Sequence, residues 1–136
     1  MSSVQLSASP QLLLIEPDRI VRSTVASVCL GLDLARVHQA ASVAIGLQML
    51  QSQPMDALLI SMADLEGALS VLERLRAGAF TGAADMPVAV MATSADAALV
   101  ERLRAFQIRR LLLQPFKIRD VVMTVESLCA GAALAA

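Results

Sequence analysis

Few side chains in this sequence can do chemistry, and most of them stand just after short apolar runs. Ser61 ends one such run, "DALLIS", and Asp64 follows three residues later. Glu16, Pro17 and Asp18 follow "QLLLI", Ala92 and Thr93 close "PVAVMAT", and Gln114, Pro115 and Phe116 follow "RRLLL". A serine nucleophile needs a neighbouring base. The only histidine, His38, lies inside a separate segment, "ARVHQA", and no Gly-x-Ser-x-Gly surrounds Ser61. Hydrolysis at Ser61 is therefore not expected. Glu16 and Asp18 supply two hard oxygen ligands, enough for a weak cation or simply for a polar loop. Asp64 reads as a loop acid or a helix cap. Cys29 and Cys129, far apart in helical patterns, are expected to be buried free thiols rather than a disulfide or a metal pair.

The elements that must position these residues alternate regularly. Continuous apolar runs of strand length occur at 11–15, 56–61, 87–92 and 109–114, with a weaker one at 35–40. Helical spacing follows each: 19–32, 42–53, 68–78 (stopped by Gly78), 94–107 (with Ser94 as its cap) and 117–130. Residues 1–10 read as a disordered leader and 131–136 as a fraying tail, leaving one domain over 11–130. Strands without polar alternation are buried on both faces by helices. Five of them, each followed by a helix, predict an α/β fold: a five-stranded parallel sheet, doubly wound, of the flavodoxin-like kind. Such sheets bind at the carboxyl ends of their strands, where the residues above collect.

The composition fits helices on a buried sheet. Of 136 residues, 57% are apolar but only 2% aromatic, and the formal net charge is −1. The mean hydropathy of +0.66 prompts a search for membrane spans. Charge or proline interrupts every apolar stretch short of the roughly 18 residues a span needs. The first ten residues lack the basic and apolar regions of a signal peptide, so a cytoplasmic protein is expected.

The run "LLLIEPDRIVR" resembles the first strand and acidic loop of the receiver domains of bacterial two-component response regulators. "HQAASVAIGLQML", "PVAVMATSA" and "LLLQPF" resemble that family's second strand and helix, its fourth strand, and its fifth strand with the Lys-Pro-Phe motif. The resemblance spans about residues 11–129. It implies transfer of a phosphoryl group from a histidine kinase to an aspartate ending the third strand, assisted by Mg²⁺, an acidic pair, a hydroxyl and a lysine. Matched position by position, this sequence departs from that set. Ser61 stands for the acceptor, Pro17 for one of the acids with Asp18 one place on, Ala92 for the hydroxyl with Thr93 one place late, and Gln114 for the lysine. Leu111 stands for the switch aromatic. The resemblance also implies a cis bond before Pro115.

Six of the eleven basic residues, Arg102, Arg104, Arg109, Arg110, Lys117 and Arg119, fall in the last two helices and the strand between them. That is the common partner and dimer face of the receiver family, and Phe106, Ile108 and Leu111 add apolar groups to it. An acidic partner or a second copy is the expected occupant. Nucleic acid is not, since no aromatic platform or Gly-rich phosphate loop is present. The expectation is a stand-alone degenerate receiver: no enzyme and no cofactor, signalling through protein contact. Two alternatives stay open: an active receiver using Asp64 with Glu16 and Asp18, and a flavodoxin-like small-ligand binder or enzyme.

Overall fold

The computed structural model describes residues 9–135. Five strands and five helices alternate along the chain: β1 Gln11–Ile15, α1 Arg19–Gly31, β2 Arg36–Ala40, α2 Val43–Ser52, β3 Ala57–Ser61, α3 Leu65–Arg76, β4 Val88–Ala92, α4 Ala97–Ala105, β5 Arg110–Leu113 and α5 Ile118–Ala135. All strands are parallel, in the order β2-β1-β3-β4-β5. The doubly wound sheet expected from the sequence is therefore the fold. Most of the leader, residues 1–8, lies outside the described residues.

The period of two along a strand divides the core. Leu13, Ile15, Leu58, Ile60, Val88 and Val90 face one side, packing with Leu50 of α2, Leu72 of α3 and Leu103 of α4. Leu12, Leu14, Ala57, Leu59, Ala89 and Met91 face the other, against Val25 of α1 and Val121 and Val125 of α5. β3 and β4 bury every one of their residues, which is why their sequences show no alternation.

Three boundaries differ from the sequence reading, two of them because of the residue that caps the helix. α3 begins at Leu65 rather than 68, because the Asp64 side chain accepts the Gly67 N–H and opens the helix early. α4 begins at Ala97, capped by Asp96 through the Leu99 N–H at 2.8 Å. Ser94 is not its cap: an acid two residues later takes that place. α5 stays helical through Ala135, past the expected end at 130. Gly78 lies beyond the last turn of α3 with φ +80°, a left-handed conformation that suits glycine.

Arg76 ties the last turn of α3 to its surroundings. Its Nε donates to the Phe106 carbonyl at 2.8 Å, and one terminal nitrogen donates to the carbonyls of Ala84 and Met86 at 2.8 and 2.7 Å. Three carbonyls from the α3–β4 loop and the end of α4 thus depend on one planar donor fork. Bonds from a charged donor contribute about 1.5–3 kcal/mol each, discounted where water can replace them. Arg76→Met should lower stability in urea denaturation by about 2–3 kcal/mol, and Arg76→Lys should recover less than half of that, having no fork.

Candidate functional site

The sheet's hydrogen bonding continues past the strand ends and fixes the floor of a cleft. The Glu16 N–H donates to Ala40 at 3.0 Å, the Met62 N–H to Met91 at 2.8 Å, and the Gln114 N–H to Ala92 at 2.8 Å. The side chains just beyond β1, β3, β4 and β5 therefore converge. Glu16, Asp18, Ser61, Ala92, Thr93 and Gln114 line this cleft of about 380 Å³, with Met62, Ala63, Leu65, Ser94 and Leu99. All six of those first residues come from the sequence-predicted set. Pro17 and Pro115 are exposed in the adjoining turns, and the bond before Pro115 is cis.

Glu16 is the unusual member. Its residue is 2% exposed. Oε2 accepts the Asp18 N–H at 2.9 Å, whereas Oε1 is buried without a hydrogen-bond partner. Burial pushes its carboxyl above the ordinary value, the Asp18 N–H opposes this, and the Asp18 charge adds to the rise. The Ser61 hydroxyl lies near enough to favour the charged form slightly, but not in hydrogen-bonding geometry to Oε1. Arg22 is the cation whose charge opposes that rise. Its guanidinium is spent on main-chain oxygens, those of Glu16 at 2.7 Å and Pro17 at 3.3 Å.

The remaining polar groups are partly committed to backbone. Asp18 caps α1, its Oδ1 accepting the N–H groups of Ile20 and Val21 at 2.9 and 3.0 Å. Ser61, 5% exposed, accepts the Ala63 N–H at 3.1 Å. Asp64 is exposed, caps α3 and is absent from the cleft lining. Of its three sequence readings, the helix cap is the one the geometry fills. His38 is half-buried on edge strand β2, its Nε2 2.6 Å from the Gln11 side chain, two strands away from Ser61. Cys29 and Cys129 are free and buried in the α1–α5 side of the core, and burial pushes both thiols up to about 11. Such thiols are inert at neutral pH.

On the α4–β5–α5 face, Arg102, Arg109, Arg110, Lys117 and Arg119 are exposed. Arg109 donates to the Ser127 carbonyl at 2.9 Å, which holds β5 to α5. Phe106, Ile108 and Leu111 are half-buried and pack on the core. The large apolar groups exposed at the end of β5 and the start of α5 are instead Leu113 and Ile118, each about half exposed. Sequence reasoning missed them because Leu113 follows core-packed Leu111 by two residues in one strand and Ile118 opens α5, so periodicity marks neither as exposed.

Comparison with solved structures follows this geometry. A response regulator from Thermotoga maritima superposes with a TM-score of 0.76 at 20% identity, covering 90% of this chain and 98% of that one. A CheY-like receiver domain from Methanospirillum hungatei gives 0.79 at 15%, covering 94% and 99%. The chain has the receiver fold. The receiver domain of a sensor histidine kinase from Pseudomonas aeruginosa is also similar, with a TM-score of 0.75 at 17% identity over 90% of this chain and 98% of that one. Its structure holds a magnesium ion in the active-site cleft. No family model and no curated protein matches this sequence.

The present cleft offers such an ion a sparse set of ligands. Mg²⁺ demands a near-octahedral set of oxygens. Here the carboxylates are Glu16 and Asp18 alone, each with an oxygen committed to backbone N–H groups. Among the described residues no group of three His, Cys, Asp or Glu side chains converges to hold a metal.

The buried carboxyl has a measurable consequence. Folding raises Glu16 above 4.5, so the folded chain holds that proton more tightly than the unfolded one. The resulting stabilisation is complete below 4.5 and is lost as pH rises through the folded value. In urea denaturation from about pH 4 to about pH 8, wild type should lose stability relative to Glu16→Gln as pH rises. A difference independent of pH would contradict the buried, raised carboxyl.

Proposed function

We propose that this chain signals through protein–protein contact in a two-component-type system, without accepting a phosphoryl group at the end of β3. Ser61 carries the reading. β3 ends in a hydroxyl that points its lone pair at a backbone N–H, where the receiver resemblance expects a carboxylate. Gln114 supplies no positive charge to the cleft, and Leu111 packs on the core where the resemblance expects a switching aromatic. A surface so built is held in one state or controlled by a bound partner. Nothing in the set performs bond-making chemistry, so the protein is read as no enzyme and as needing no cofactor.

The α4–β5–α5 face supports the partner half of the proposal. It carries exposed arginines and a lysine together with the half-exposed Leu113 and Ile118, the charged and apolar groups that an interface combines. An acidic protein surface or a second copy of the chain is the partner class. No helix among the described residues is long and apolar enough to cross a membrane, and the cytoplasm is the proposed location. The alternative acceptor, Asp64, is disfavoured by its cap role and its place outside the cleft.

Incubation with acetyl phosphate and Mg²⁺, read by intact mass, should give no phosphoryl adduct. An adduct that Asp64→Asn removes would replace the proposal with an active receiver whose acceptor has moved.

A further inference from the structure

We infer that the cleft at the strand ends is a socket for an arginine side chain presented by a partner protein. The inference rests on the reading that the cleft takes no phosphoryl group. Its floor carries two carboxylates, Glu16 and Asp18, and no Lys or Arg lines it among the described residues. Glu16 is 98% buried by exposure of 2%, and its Oε1 has no partner. A buried acceptor left unpaired is costly, and an incoming donor removes that cost. Arg22, the cation whose charge acts on Glu16, is occupied by two main-chain carbonyls.

The walls select among cations. Met62, Leu65 and Leu99 form an apolar side that a bare metal ion would leave unused. Mg²⁺ sheds its water reluctantly, and an ammonium is a strongly hydrated point charge. A guanidinium is weakly hydrated and planar, offers its N–H groups in a fixed fork, and brings an aliphatic stem. Fork to Glu16 and Asp18, stem to Leu65 and Leu99, is the complementary arrangement. The cleft also has an exit for the rest of the partner: Leu65, Ser94 and Leu99 line a second groove as well, which continues to Asp96 and Arg102.

The test is an amide-shift titration of the full chain with N-acetyl-arginine methylamide. Saturable shifts at Glu16, Ser61, Thr93 and Gln114 are expected. Glu16→Gln should weaken binding roughly tenfold by removing the charged acceptor. Gln114→Lys should abolish it, because an internal ammonium would reach the same acids. N-acetyl-lysine methylamide and Mg²⁺ should bind more weakly than the arginine probe. No saturable shifts, unchanged binding in both variants, or a preference for Mg²⁺ would overturn the socket. Tighter binding of free L-arginine than of the blocked form would overturn the partner assignment. Acetyl phosphate treatment of the same sample separates the two levels. An adduct sinks the non-phosphorylated reading, whereas no adduct together with no arginine binding sinks the socket alone.

Discussion

Where β3 ends decides what the cleft can do. The strand buries all five residues, with Leu58 and Ile60 in one layer and Ala57 and Leu59 in the other. Its pairing with both β1 and β4 leaves its register no freedom, since a one-residue slip would exchange the two faces and misplace both cores. Ser61 pairs with Met91 as the last residue of that ladder, so its hydroxyl is delivered to the cleft as firmly as any carboxylate would be. The fold supplies the position, and the side chain alone decides the chemistry.

Around that fixed point the polar groups have been turned toward the backbone. Asp18 and Asp64 cap α1 and α3, and Ser61 holds the turn that follows β3. Such bonds stabilise helix starts by about 1 kcal/mol each and draw acceptors away from ligands. Glu16 is the exception, keeping one oxygen with no bond in a nearly dry setting. A receiver-like cleft thus combines a stable frame with one buried acceptor that has no partner.

Much of this was legible in the sequence. Unbroken apolar runs such as "DALLIS" announce strands covered on both faces, and the strand-end rule brings Glu16, Ser61, Thr93 and Gln114 together before any coordinates are known. Helix starts were less legible. Ser94 and Asp96 are both competent caps, and only the geometry of the β4–α4 loop chooses Asp96 and leaves Ser94 to the cleft. The apolar wall was not legible at all. Leu65 looks like a loop residue until Asp64 is seen to open α3 one residue before it. Nor can a sequence distinguish Leu111, which packs on the core, from Leu113, half exposed two residues later at the end of an edge strand.

The most direct measurement is the amide spectrum of the full chain with Mg²⁺ before and after addition of beryllofluoride, a stable mimic of a phosphoryl group on a carboxylate. A cleft that has exchanged phosphoryl chemistry for protein contact should leave the amides of residues 61–64, 92–94 and 114 unmoved. Saturable, Mg²⁺-dependent shifts at those residues, spreading into α4 and β5, would contradict the account and restore a working phosphoryl switch.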